Sequence, residues 1–137
     1  MALLIDTTVF VALERRREAV ADLAAGGVVG ADEYVAVAAI TASELLVGVY
    51  RARTPEQRHR REAFVEALLA RIPVLAFDAV SARIHARLAV DLGAVGARIG
   101  AHDLLIAATA LQYGCAVLTE NVREFTQVPG LQVKALA

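Results

Sequence analysis

The sequence predicts an α/β fold, a three-layer α/β/α arrangement around a central parallel sheet of four to five strands. Short uncharged apolar runs of strand length alternate with longer segments in which apolar residues recur at helical spacing. The apolar runs are continuous, which is typical of strands buried on both faces of a parallel sheet. A chain of 137 residues can bury one core of its own, so we expect a single domain over residues 1–137.

The first half of the chain is expected to form two strands and three helices. Paired glycines, Gly26 and Gly27, end the first helix, and Thr54-Pro55 begins the third, because threonine is a good N-cap and proline suits the first helical position. The predicted elements are a strand over residues 2–5, a helix over 9–25, a strand over 35–40, a helix over 41–53 and a helix over 57–70.

The second half is expected to form three further strands and two helices. The helix over 103–113 is apolar nearly all round, which predicts deep burial, and Gly114 ends it. The predicted elements are a strand over residues 73–77, a helix over 81–92, a small-residue loop over 93–100, the helix over 103–113, and strands over 116–119 and 131–136.

Composition excludes several classes of protein. The mean hydropathy of +0.54 raises the possibility of a membrane protein, but the longest uncharged stretch, residues 104–119, is shorter than the ~20 residues that a spanning helix needs. The single cysteine excludes an internal disulfide framework. No basic leader precedes the first apolar run, so we expect a cytoplasmic protein without a signal peptide or membrane anchor.

Three acidic residues stand where apolar strands give way to helices. Asp6 follows the first strand, Glu44 comes just after the second, and Asp103 opens the most apolar helix. Ligands of parallel α/β sheets bind outside the carboxyl ends of the strands, so these three carboxylates are expected to converge there. Convergent carboxylates without basic neighbours repel one another and need a cation. An oxygen-only donor set suits Mg²⁺, with Mn²⁺ as a second possibility.

Each acid also has a purely structural interpretation. Asp6 and Asp103 could each cap the helix that follows, and Thr41-x-x-Glu44 fits a capping box. The burial expected around Asp6 and Asp103 favours the metal site for the three taken together. The histidines His59, His85 and His102 lack zinc-ligand spacing, so zinc is not expected.

The segment from Thr119 to Phe125 follows the predicted strand over 116–119. It could be only a polar turn that leads into a short helix. Alternatively, it forms a fourth wall of the acidic pocket, where Thr119 orients a water and Asn121 offers an oxygen. Glu120 and Glu124 are candidate acids outside the immediate metal site.

Four segments of the sequence resemble, in order and spacing, those of the PIN-domain ribonucleases, and in particular the VapC-type toxins of toxin–antitoxin pairs. The Asp-x-x-Ile-Ala-Ala-x-Ala run is the most specific of the four, and the resemblance spans nearly the whole chain. The segments are Leu4-Ile5-Asp6-Thr7-Thr8, Thr41-Ala42-Ser43-Glu44-Leu45, His102–Ala110 and Thr119-Glu120-Asn121-Val122-Arg123-Glu124-Phe125.

The resemblance implies a Mg²⁺-dependent endoribonuclease that cleaves RNA by means of a metal-activated water. It implies that Asp6, Glu44 and Asp103 are catalytic and bind the metal, and that Thr119 and Asn121 complete the catalytic set. It further implies a cognate antitoxin, an RNA substrate and a homodimer. Position 121 is often Asp in the family; Asn121 here removes a charge and leaves open whether one metal binds or two.

Thirteen arginines and one lysine make up the basic residues, and the net charge is −1. A cluster on the second and third helices is a candidate for phosphate contacts along an RNA groove. The alternative is a solvated helix face paired with Glu56, Glu62 and Glu66, while Arg15–Arg17 are expected to be surface residues. The candidate RNA-binding residues are Arg51, Arg53, Arg58, Arg60 and Arg61.

Two other interpretations have different consequences. A catalytically weak PIN-like module would bind RNA or a protein partner without turnover, and Asn121 favours it. A receiver-type phosphoacceptor module would need a catalytic lysine after a late strand, whereas Lys134 lies inside a predicted one. An Asp-x-Asp phosphatase is excluded because position 8 is threonine.

Overall fold

The computed structural model describes residues 2–136. Five short strands alternate with helices along the chain. The strands are β1 (Leu3–Ile5), β2 (Val35–Ala38), β3 (Val74–Leu75), β4 (Ala116–Thr119) and β5 (Val133–Ala135). The helices are α1 (Thr7–Arg16), α2 (Val20–Ala25), α3 (Ala39–Tyr50), α4 (Pro55–Leu69), α5 (Ala79–Ala94), α6 (Ala101–Tyr113) and α7 (Val122–Phe125).

The strands form one sheet in the order β3-β2-β1-β4-β5, and every pairing is parallel. Leu3 pairs with Val35 of β2 on one side and with Ala116 of β4 on the other, so β1 is the central strand. Its three residues are at most 1% exposed. The predicted parallel α/β/α fold is confirmed.

Two hydrophobic cores lie on opposite faces of the sheet. Successive side chains of a strand point to opposite faces, and accordingly Leu3 and Ile5 belong to one core and Leu4 to the other. The first core takes its helical residues from α1 to α4 and the second from α5 to α7. Helix α6 contributes Ile106, Ala107, Ala108 and Ala110, each 0% exposed, which confirms the deep burial predicted for it.

The direction in which successive strands are added to the sheet reverses between β1 and β4. From β1 the connections lead by way of β2 to β3, and from β4 the chain continues to β5 on the other side. Such a switch point opens a crevice at the carboxyl ends of the two strands. Asp6 follows β1 directly, and Thr119 ends β4.

Several predicted boundaries are wrong. The helix expected over residues 9–25 is two helices, because Arg17 is in the left-handed conformation (φ 56°) and closes α1. Leu23 returns to the core after this break, so the apolar spacing does not reveal it. Ala39 and Ile40, expected in a strand, begin α3, and β3 is an edge strand of two residues rather than five.

Among residues 2–136, no helix combines the length and the apolar character needed to cross a membrane.

Candidate active site

Asp6 is the most buried acid of the candidate site, with 1% exposure. It occupies the N-cap position of α1, but its side chain makes no capping hydrogen bond. The hydroxyls of Thr8 and Thr119 instead donate to its Oδ2 atom, at 2.7 and 2.8 Å. The capping interpretation is therefore wrong for the carboxylate, and Oδ1 is the oxygen left for another ligand.

Glu44 lies in the second turn of α3, because Ala38 is the N-cap of that helix. The capping box expected between Thr41 and Glu44 is accordingly wrong. The Thr7 hydroxyl donates to Glu44 Oε1 at 2.8 Å, and Nδ1 of His102 lies 3.1 Å from Oε2. These two contacts join the start of α1, the second turn of α3 and the start of α6.

Asp103 is the third residue of α6, and Gly100 is the N-cap. The pKa of its carboxyl is raised from 3.8 to about 7, first by burial, then by a hydrogen bond with the Glu124 carboxyl, and further by the negative charges of Asp6, Glu124 and Glu44. The raised pKa of Asp103 thus indicates that three other carboxylates lie near it. Single-helix capping cannot account for it, because a helix N-terminus lowers the pKa of an acid.

The acids lack strong cationic partners within residues 2–136. None of the ion pairs there involves Asp6 or Asp103, and Glu44 pairs only with His102. In the same range, no three His, Cys, Asp or Glu side chains are already arranged as a metal site.

The segment after β4 divides into residues near the acids and residues away from them. Thr119 is fully buried and contacts Asp6, whereas Glu120 is exposed. The Asn121 backbone N–H donates to Thr119 Oγ1 at 2.8 Å. Asn121 is half-buried and is the N-cap residue of α7. The Glu124 carboxyl lies near enough to Asp103 to help raise the pKa of Asp103. Of the two outer acids that the sequence proposed, Glu124 is the one that affects the site.

Three contacts of the site were missed by the sequence analysis. Thr7 and Thr8 stand beside Asp6 in the chain, so two hydroxyls directly after a strand-terminal acid were a usable signal. His102 was considered as a zinc ligand and set aside, but it lies in the first turn of α6 and contacts Glu44. That contact spans 58 positions, and no local pattern predicts it.

The predicted RNA-binding arginines have different local contacts. Arg58 stacks over the ring of Tyr50, 5.4 Å from its centroid. Arg61 donates to the Gly48 carbonyl at 2.9 Å and pairs with Glu14 at 3.5 Å. Within residues 2–136, no ion pair involves Glu56, Glu62 or Glu66, so the predicted pairing on that helix face is wrong. Arg51 and Arg53 are exposed at the turn between α3 and α4.

Comparison with known proteins agrees with this geometry. The family model described as the PIN domain matches residues 3–131. Ribonuclease VapC1 of Rickettsia felis is 35% identical, over 97% of this chain and 95% of the relative. The chain therefore belongs to the PIN-domain family and, within it, to the VapC ribonucleases.

Solved structures of related complexes share the fold. VapBC-5 from Mycobacterium tuberculosis, a member of the VapBC family of toxin–antitoxin systems, is 32% identical, with a TM-score of 0.74, and the match covers 98% of this chain and 96% of that one. VapBC2 from Rickettsia felis, bound to a DNA fragment from its promoter, is 22% identical, with a TM-score of 0.86, and covers 98% of both chains. The second likeness supports the fold alone.

Proposed function

We propose that this protein is a Mg²⁺-dependent endoribonuclease and the toxin of a toxin–antitoxin pair. The observation that carries the proposal is the set of carboxylates at the switch point, where Asp6, Glu44 and Glu124 together with burial raise the pKa of Asp103 to about 7. Retaining such a repulsive cluster lowers stability, which is typical of a site kept for chemistry. Membership of the VapC ribonucleases supports RNA as the substrate.

The donor chemistry of the site fits a divalent metal. Asp6, Glu44 and Asp103 are the residues that would hold it, and all three offer carboxylate oxygens, the ligands that Mg²⁺ and Mn²⁺ prefer. When bound, the cation supplies Lewis acidity, which acidifies a water molecule and offsets charge on the phosphodiester oxygens. Burial and the neighbouring carboxylates raise the pKa of Asp103 to about 7, so a cation competes there with a proton.

The surrounding residues orient these oxygens. Thr8 and Thr119 hold Oδ2 of Asp6 and leave Oδ1 free for the pocket. Thr7 and His102 hold the two oxygens of Glu44. Outer contacts of this kind fix the direction of a ligand and raise the affinity of a site for its metal. Asn121 is the N-cap residue of α7 and lies two positions after Thr119. We assign its neutral amide to a contact with substrate or water.

A catalytically weak PIN-like module remains the alternative, because Asn121 lacks the charge common at its position. The effect of Glu124 on the pKa of Asp103 counts against it, since it indicates a further carboxylate close to the site, three residues after Asn121. On this basis we favour the active enzyme.

We also propose a cognate antitoxin as the protein partner and a homodimer as the assembled toxin. The support is the likeness to VapBC-5, which is described as a member of a toxin–antitoxin family. Expression of this chain alone is expected to arrest growth. Coexpression of a small DNA-binding protein encoded directly upstream should restore it, and growth arrest that no neighbouring gene relieves would count against the pairing.

The decisive experiment is RNA cleavage by purified protein. We expect RNA cleavage with Mg²⁺ or Mn²⁺ and no cleavage after chelation. The cleavage rate should fall by at least a hundredfold in Asp6→Asn and in Asp103→Asn. Asp91→Asn is the matched control, because Asp91 is an exposed acid on α5 whose one ion pair among residues 2–136 is with Arg87. RNA binding without turnover under any divalent cation would favour the weak module, and full activity in Asp6→Asn would refute the assigned site.

A further inference from the structure

A second polar surface lies at the opposite end of α1 from Asp6. A cavity of about 510 Å³ opens between the last turn of α1 and the first half of α4. Arg15 and Arg17 line it from the α1 side, and Arg60 and Arg61 line it from α4. We call this surface the distal arginine pocket, and it is defined by these four residues together with Glu14 and Gln57.

The pocket presents an excess of positive charge and of hydrogen-bond donors. Glu14 is its only acid, and it pairs with Arg61 at 3.5 Å. Arg15, Arg17 and Arg60 take part in no ion pair within residues 2–136. Gln57 accepts a hydrogen bond from the Arg53 backbone through Oε1, which leaves its amide N–H groups available. A ligand of this pocket must therefore be anionic and rich in acceptors.

Compensation of the helix dipole does not account for the pocket. Basic residues near a helix C-terminus offset about half a negative charge, which would explain Arg15 and Arg16 in the last turn of α1. It does not explain why α4 places Arg60 and Arg61 against the same turn. Arg61 is itself fixed by Glu14 and by the Gly48 carbonyl, so the pocket has one anchored guanidinium and three available ones.

We propose that the distal arginine pocket binds phosphates of the RNA substrate beyond the cleavage site. This inference rests on the proposed ribonuclease function. Arginine guanidinium groups pair with phosphate oxygens through two parallel hydrogen bonds. Arg15 lies nine residues beyond Asp6, roughly 13 Å along the axis at about 1.5 Å per residue.

The pocket therefore predicts a preference for substrate length. An oligonucleotide that covers only the acidic site cannot reach the arginines, whereas one that extends several nucleotides beyond it can. Binding should be measured by fluorescence anisotropy in the Asp103→Asn background, so that cleavage does not intervene. Single-stranded RNAs of four and of twelve nucleotides serve as the probes.

The test variant is Arg15→Gln/Arg60→Gln, which removes one guanidinium from each helix. We expect a several-fold loss of affinity for the twelve-nucleotide RNA and a smaller ratio between the long and short probes. The slope of log affinity against log salt should fall by about 1.4, since each phosphate contact contributes about 0.7 for a single strand. Arg16→Gln/Arg83→Gln is the matched control: it removes the same charge but neither residue lines this pocket.

Three outcomes would overturn the proposal. Equal salt slopes in the test and control variants would mean that the pocket contacts no phosphate. A variant that keeps its affinity for long RNA but loses affinity for the antitoxin would assign the pocket to a protein partner. A fall in melting temperature with unchanged RNA binding would leave only the helix-dipole role. If wild-type protein does not cleave RNA but shows the predicted length and salt dependence of binding, the proposed ribonuclease function is wrong. The proposal that the distal arginine pocket binds RNA phosphates is then retained.

Discussion

Nδ1 of His102 lies 3.1 Å from Oε2 of Glu44, and this contact closes one side of the acidic site. Carboxylate oxygens accept hydrogen bonds, so this contact favours the imidazole tautomer that has its proton on Nδ1. The same carboxylate accepts from Thr7 at 2.8 Å through its other oxygen. Glu44 is therefore held from both sides, and its position depends on a residue of α6.

His102→Ala is expected to reduce both metal affinity and cleavage by roughly tenfold, because groups that orient a metal ligand typically contribute 10–100-fold. Mn²⁺ titration by calorimetry and RNA cleavage are the two measurements. His102→Asn should recover part of the loss, since its amide N–H can replace Nδ1. His59→Ala, at an exposed position of α4, is the control, and equal behaviour of the two alanine variants would make His102 a mere surface residue.

Asp103→Asn is expected to stabilise the metal-free protein at high pH. The pKa of Asp103 is raised from 3.8 to about 7 in the folded state, so between these values the native protein binds more protons than the unfolded chain. Stability therefore falls as pH rises from about 4 to about 7. Asparagine cannot ionise and removes this penalty.

With chelator present, the melting temperature of Asp103→Asn should exceed that of the wild type by roughly 2–5 °C at pH 8, as a gain of about 1 kcal/mol implies for a chain of this size. The difference should vanish near pH 4. Asp91→Asn should show no such pH dependence. A difference of the same size at both pH values would show that charge repulsion is not its cause.

Divalent cations should stabilise the wild-type protein against heat. A ligand that binds only the native state at a hundred times its dissociation constant adds about 2.7 kcal/mol, and relief of carboxylate repulsion is the physical source here. The measurement is the melting temperature against Mg²⁺ concentration at constant ionic strength. Asp6→Asn and Asp103→Asn should lose most of the shift; a full shift in both variants would place the cation elsewhere.

Thr119→Val should lower the free energy of unfolding by about 1–3 kcal/mol, because a buried carboxylate loses one of its two hydroxyl donors. Urea denaturation at pH 7 measures it. Thr109→Val is the matched control, since Thr109 is equally buried but its hydroxyl bonds only to the Leu105 carbonyl one turn earlier in the same helix. Equal costs for the two substitutions would show that the Asp6 contact contributes nothing specific.

The parts of the fold that local patterns determine were predicted well. Strand β4 was predicted to the residue, because a continuous apolar run between Gly114 and a polar segment has few alternatives. The left-handed turn at Arg17 was not predicted. No sequence pattern marks a non-glycine residue in that conformation, and the helical spacing of apolar residues continues past it. The two-residue length of β3 depends on its place at the edge of the sheet, which only the topology reveals.

The candidate site divides in the same way. Asp6 and Asp103 were identifiable because a charge beside a buried apolar element is costly and therefore conspicuous. Their partners were harder to identify. Thr119 donates to Asp6 across 113 positions, and only the fold shows that Glu124, one of two candidate outer acids, affects the pKa of Asp103. Long-range pairing of polar groups follows from packing, and a single sequence contains no record of it.

The hydrogen bond from Thr119 to Asp6 joins two residues that the ribosome adds at different times, so the order of synthesis determines when the acidic site can form. Asp6 is synthesised 113 residues before its hydroxyl donor Thr119, and the Glu124 carboxylate follows later still. We expect fragments that end before β4 to lack both the central strand pairing and the completed acidic pocket. A cell that produces this protein would then be exposed to cleavage only by molecules that include β4 and α7, and translation interrupted before β4 would yield inert ones.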